Sequence, residues 1–95
     1  MIGKVIKLSA QWCAPCRVYA NTFKNVSNKE EFKGIEFNAM DIEEDKEAEP
    51  LVIKFGVRGV PTTLILDENG ELISKLTGNV KESDLIDAIN DAMKS

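Results

Sequence analysis

Trp12-Cys13-Ala14-Pro15-Cys16-Arg17 lies where the chain changes period. Before it, Lys4-Val5-Ile6-Lys7-Leu8 mixes polar and apolar positions as a short buried strand does. After it, Val18, Tyr19, Thr22, Phe23 and Val26 recur three and four apart, which predicts an amphipathic helix over about residues 14–26. The two cysteines thus stand where a strand ends and a helix begins. At that spacing their sulfurs can come within disulfide reach. The unpaired N–H groups and partial positive charge of a helix start favour thiolate over thiol, and the thiolate is the attacking species. Pro15 costs little in a first turn, where its missing N–H would have gone unpaired anyway. Cys13, at the exposed loop-to-helix junction, is therefore the expected nucleophile, and Cys16, one turn inside, the expected resolving thiol. Arg17 reads as a solvated surface arginine.

Two other uses of the pair carry less weight. A structural disulfide closing so short a loop would constrain the unfolded chain by only about 2 kcal/mol. A tetrahedral zinc needs four ligands, and the chain offers two cysteines and no histidine. No metal is expected.

Further along, residues 35–42 alternate again, with Ile35, Phe37, Ala39 and Met40 expected to turn inward as a second strand. Glu43-Glu44-Asp45-Lys46-Glu47 precedes Ala48, Leu51, Val52 and Phe55, whose spacing is helical. An acidic lead-in suits a helix N-terminus, and Pro50 fits a first turn. Residues 62–66 and 71–76 flank Asp67-Glu68-Asn69-Gly70, a strong antiparallel hairpin signal. Leu85, Ile86, Ala88, Ile89, Ala92 and Met93 make the apolar face of a closing helix over about residues 81–94. The order β-α-β-α-β-β-α predicts an α/β fold: a mixed four-stranded sheet with helices on both faces.

At 95 residues and 10.5 kDa the chain is expected to form one domain over residues 1–95. Charged residues are 29% of the chain and hydrophobic ones 43%, ordinary for a soluble globular protein. No apolar run approaches a bilayer span, so no membrane association is expected. The net charge is −4, and the lysines are spread rather than gathered in a stripe, so nucleic acid is not an expected ligand. The first residues are too short an apolar stretch for a signal peptide. Two cysteines are too few for a secreted disulfide framework, and the expected compartment is the reducing cytoplasm.

Around Cys13 and Cys16 the sequence resembles the thioredoxin family, whose active-site run is Trp-Cys-Gly-Pro-Cys-Lys/Arg. A second signature, Gly59-Val60-Pro61-Thr62, is similar to the family's cis-proline loop, and Gly78 falls where the family has a glycine after its last strand. The resemblance covers nearly the whole chain. It implies the thioredoxin fold in a minimal form and a thiol–disulfide oxidoreductase that reduces protein disulfides through a mixed disulfide. It also implies a role in electron transport and cell redox homeostasis as a monomer. The reducing equivalents would come from thioredoxin reductase or another donor, with no bound cofactor beyond the Cys13–Cys16 disulfide. Trp12, Ala14, Pro15, Val60, Pro61 and Gly78 would form the substrate surface. Trp12 would shield the site, and Pro61, if cis, would present Val60 to an extended substrate segment.

The chain departs from the family pattern in three places. It lacks the extra strand and helix with which thioredoxins usually begin. Asn21 stands where many members have a helix-kinking proline, so a straighter helix is expected. Lys7 occupies the position, six residues before Cys13, of the family's buried aspartate, the usual candidate for assisting proton transfer at the resolving cysteine. If Lys7 faces the site, its ammonium favours the thiolates, and burial would depress its own pKa. The alternative is a lysine that snorkels to solvent. Two further functions stay open at this point. One is a glutaredoxin-like, glutathione-dependent reductase, against which the Ala-Pro pair between the cysteines speaks. The other is a non-catalytic thioredoxin-like subunit of a larger complex.

Overall fold

The central strand of the sheet is β1 (Ile2–Ser9), flanked by β2 (Glu36–Asp41) on one side and β3 (Thr62–Asp67) on the other, with β4 (Leu72–Thr77) outermost beyond β3. This computed structural model describes residues 2–94. β1 runs parallel to β2, with Val5 opposite Phe37 and Lys7 opposite Ala39. It runs antiparallel to β3, with Ile6 opposite Leu64 and Lys7 opposite Thr63. The expected β-α-β-α-β-β-α order is observed, completed by helices α1 (Ala14–Ser27), α2 (Ala48–Lys54) and α3 (Glu82–Met93).

Alternation along β1 divides the core into two layers. Val5 faces α1 and α3 and packs with Tyr19, Phe23, Val26, Ile65, Leu85, Ile89 and Ala92. Ile6 and Leu8 face α2 and pack with Ala48, Leu64 and Leu66. Both strand faces are apolar because both are covered, as a central strand between helical layers requires. Each fully buried large aliphatic side chain contributes on the order of 1.5–3 kcal/mol.

The expected inward faces need three corrections. Val18 has the right spacing but is 59% exposed, because the buried stripe of α1 runs through Cys16, Tyr19, Phe23 and Val26. Ala39 is exposed, since β2 is an edge strand and no helix covers its end; Met40 and Ile42 instead pack toward α2. Met93 lies at the last turn of α3 and is exposed. A short 3-10 turn, Glu30–Phe32, goes unsignalled by periodicity; it buries Phe32 beneath the α1–α3 layer. α1 runs unbroken through Asn21.

The hairpin loop is wider than an Asn-Gly pair alone suggests. The Asp67 carboxylate accepts hydrogen bonds from the N–H groups of Asn69 and Glu71, at 2.8 and 2.9 Å, and Gly70 takes a positive φ of 82°. The acidic stretch before α2 is ordered similarly. Asp41 accepts from the N–H groups of Glu43 and Glu44, while Asp45 accepts from the N–H of Asp41 at 2.7 Å. Most of that stretch is therefore a turn closing the end of β2, ahead of the helix it was expected to begin.

Candidate functional site

β1 ends at Ser9, and the chain turns through Ala10 to Trp12 before α1 starts. Cys13 caps that helix. Its backbone is extended, at φ −93° and ψ 107°, and its sulfur accepts the N–H of Cys16 at 3.2 Å. A sulfur in this place meets an otherwise unpaired helix N–H and the positive end of the helix dipole. Cys13 and Cys16 are joined as a disulfide, with Cα atoms 5.2 Å apart.

Cys13 is more enclosed than its position implied. It is 5% exposed, against 3% for Cys16, so exposure does not distinguish them in the disulfide form. The enclosure comes from Ala10 and from the loop before β3, whose Val60 and Ile42 neighbours pack on the pair. The asymmetry lies in surroundings instead. Cys13 Sγ is 3.6 Å from the Val60 carbonyl oxygen, on the side where Trp12 and the 57–60 loop meet. Cys16 lies on the opposite side, lining a cleft with Lys7, Ser9, Ala20 and Asp41.

The Val60–Pro61 peptide is cis, and Pro61 is buried. The Thr62 hydroxyl donates to the Gly59 carbonyl at 2.6 Å, and the Gly78 N–H donates to the Pro61 carbonyl at 2.8 Å. Gly78 has φ +90°, a region that L side chains rarely adopt, so its turn out of β4 brings the N–H onto Pro61. The structure thus gathers Val60, Pro61 and Gly78 against the cysteine pair from three separate parts of the sequence. Ala14 and Pro15 are exposed on the first turn of α1.

Trp12 is 64% exposed at the rim. Its indole Nε1–H donates to Glu43 at 3.1 Å, and the ring borders a hollow of about 180 Å³ lined by Ile42, Val52, Val57, Arg58 and Val60. Glu43 and Arg58 carried no local signal, because both reach the site only through the fold. Arg17 is exposed and donates to the Gln11 carbonyl at 3.1 Å, as expected of a surface arginine.

Lys7 points to the α1 side of the sheet. It is 8% exposed, its Nζ lies 5.6 Å from the centre of the Phe23 ring, and it lines the cleft that Cys16 borders. Burial pushes its pKa below the ordinary lysine value. The Tyr19 hydroxyl, buried beside it, shares a 2.5 Å hydrogen bond with the Thr63 hydroxyl. Burial raises its pKa, partly offset by that bond. Among the described residues no group of His, Cys, Asp or Glu is arranged to hold a metal ion. No helix among them is long and apolar enough to cross a membrane.

The family model for thioredoxin matches residues 3–91. This chain belongs to the thioredoxin family. It is 36% identical over 88 residues to the chloroplastic thioredoxin F2 of Arabidopsis thaliana, covering 93% of this chain and 44% of that protein. It is 31% identical over 75 residues to the SPbeta prophage-derived thioredoxin-like protein YosR of Bacillus subtilis, covering 79% of this chain and 81% of that one. In structure it is similar to the thioredoxin of Malassezia sympodialis, with a TM-score of 0.78 and 27% identity over 93% of this chain and 72% of that one. The chain spans about half the length of several of the curated thioredoxins it matches. The thioredoxin cysteine pair and cis-proline loop are both present, while the central glycine of the active-site run is Ala14 and the buried aspartate is Lys7.

Proposed function

We propose that this thioredoxin-family chain, acting as one domain, is a protein-disulfide reductase that cycles between a Cys13–Cys16 dithiol and disulfide. The observation that carries the reading is the cysteine pair at the start of α1 with the Val60–Pro61 loop lying against it. In the dithiol, Cys13 at the N-cap is the thiolate favoured by the Cys16 N–H and the helix dipole. It attacks one sulfur of a substrate disulfide, and the other leaves as a thiolate. Cys16 then attacks Cys13 Sγ, which re-forms the Cys13–Cys16 bond and expels the second substrate sulfur. Two electrons pass from the dithiol to the substrate, so the cycle needs no bound cofactor and takes its electrons from a separate reductase.

Around that chemistry, Trp12, Ala14 and Pro15 form one wall of the substrate surface and Val60, Pro61 and Gly78 the other. An extended polypeptide can pair its backbone with Val60 between them. The site is built from one chain, which suits a monomer. A reducing compartment, the cytoplasm in the simplest case, is where such a dithiol would turn over.

The test is insulin-disulfide reduction with two electron sources. Turnover with NADPH and thioredoxin reductase, abolished by Cys13→Ser, is the expected result. Turnover with glutathione alone would move the protein to a glutaredoxin-like role. Inactivity with both, alongside a partner that binds the same surface, would make it a non-catalytic subunit.

A further inference from the structure

We propose that Lys7 and Cys16 form a proton-sharing pair, so that Lys7 governs how readily Cys16 resolves the mixed disulfide. The inference rests on the disulfide-reductase reading above and extends it to a residue pair on the far side of the cysteines from the substrate surface.

The geometry begins with the sheet. Lys7 sits on the central strand between Ala39 of β2 and Thr63 of β3, with its side chain beneath α1. A lysine there is almost wholly removed from water, yet forms no ion pair among the described residues. Isolated buried ammonium is costly, and its proton is held less tightly than in water. The Phe23 ring face offsets only part of that cost.

Each charged or titratable group facing Lys7 can be placed. From β2, Asp41 lines the same cleft, but its Oδ1 already accepts two backbone N–H groups. From α1, Arg17 stands at the rim, turned to the Gln11 carbonyl, and adds positive charge that further disfavours a second cation. The Tyr19 hydroxyl, also on α1, is engaged by Thr63 of β3 and held protonated by burial. The remaining titratable side chain in the cleft is Cys16, once its sulfur is freed from the disulfide.

The cleft holds about 170 Å³, room for several waters to bridge the two groups. In the mixed disulfide, the Cys16 thiol passes its proton to the neutral Lys7 amine, directly or through that water. The thiolate attacks Cys13 Sγ, the bond from Cys13 to the substrate sulfur breaks, and its electron pair leaves on the substrate. The ammonium then returns the proton to the departing thiolate, and Lys7 is neutral again. The amine–thiol and ammonium–thiolate forms differ by one internal proton transfer, so the pair titrates as a unit. Lys7 is a positioning residue for a proton and acts through the Cys16 sulfur.

The test follows the reduced protein reacting with an aromatic disulfide reagent whose thiolate is coloured. The first release reports attack by Cys13, and the second reports resolution by Cys16. In Lys7→Met and in Lys7→Gln, the second release is expected to slow about tenfold at pH 7, the scale of one pKa unit. The first should stay close to wild type, and the second-release deficit should close as pH rises. The equilibrium with glutathione should shift about tenfold toward the disulfide, or about 30 mV, because a reduced form stabilised by the ammonium is lost. Unchanged second releases in both variants would overturn the proposal, as would equal slowing of both releases, which marks a merely structural role. Insulin reduction by the wild type is read separately. Its failure would overturn the reductase reading, while the two-phase reaction still decides the Lys7–Cys16 pair.

Discussion

The Val60 carbonyl oxygen lies 3.6 Å from Cys13 Sγ, although 47 residues separate the two in the chain. The loop before β3 therefore sets the electrostatic surroundings of the attacking sulfur as directly as the helix that carries it. A carboxylate placed there would oppose the thiolate. Val60→Asp is expected to slow the first release from an aromatic disulfide about tenfold at neutral pH and to move its pH profile upward. Salt should recover part of the loss, because the site opens to solvent. Stopped-flow rates at two ionic strengths test this.

Replacing the two cysteines singly should give different products. Cys13→Ser removes the attacking sulfur, and turnover should be lost. Cys16→Ser leaves attack intact but removes resolution, so the protein should accumulate covalently linked to its substrate. Mass spectrometry of the quenched reaction distinguishes the adduct from free protein.

Tyr19→Phe should cost about 1–2 kcal/mol, because it leaves the buried Thr63 hydroxyl without its partner. The same tyrosine gives the protein an alkaline sensitivity. Its folded-state pKa is raised above the unfolded value, so the folded state holds the proton longer. That stability is fully present below the ordinary tyrosine pKa and is lost as pH rises through the folded one. Urea unfolding between pH 8 and about 11 should show a steeper decline for wild type than for Tyr19→Phe.

The opposite sign holds for Lys7. Its folded pKa is lowered, so the unfolded chain binds the extra proton more readily, and burial of Lys7 weakens the fold at neutral pH. Lys7→Met should therefore unfold at higher urea than wild type at pH 7. The two midpoints should converge as pH rises past the unfolded lysine pKa. Equal midpoints at neutral pH would show that the ammonium keeps its hydration.

Gly78→Ala forces a side chain into φ +90° and should cost about 1–3 kcal/mol. No atom crowds the position, so the cost is conformational rather than steric. Relaxation of that turn would loosen the hydrogen bond to Pro61, and substrate affinity should fall with stability. Insulin-reduction KM and a urea curve on the same variant separate the two.

Much of this was legible in the sequence, for physical reasons particular to each element. Local periodicity placed all four strands and three helices, because each is long enough to repeat its pattern. Periodicity could not say that Val18 and Met93 sit outside the stripe, or that Ala39 lies at an open edge; those depend on where neighbouring elements stop. The cysteine pair, Pro61 and Gly78 came from motif chemistry and family resemblance. The Trp12–Glu43 and Tyr19–Thr63 bonds join residues 31 and 44 apart, with no local pattern to mark either pair. The facing of Lys7 was ambiguous because Val5, Ile6 and Leu8 are all apolar, a consequence of a central strand covered on both sides.

The strand order has a bearing on how the protein is made. β1 emerges from the ribosome first, yet both of its partners lie far ahead in the chain, and β3 with β4 supplies the only pairing between consecutive strands. A nascent chain that has exposed Cys13 and Cys16 therefore carries two reactive thiols with neither the Val60 loop nor α3 yet translated. Non-local pairing of this kind is slow to nucleate. During that interval the thiols lack the site that later governs their chemistry. Synthesis in an environment that keeps them reduced guards the protein against being linked to the wrong sulfur before it is complete.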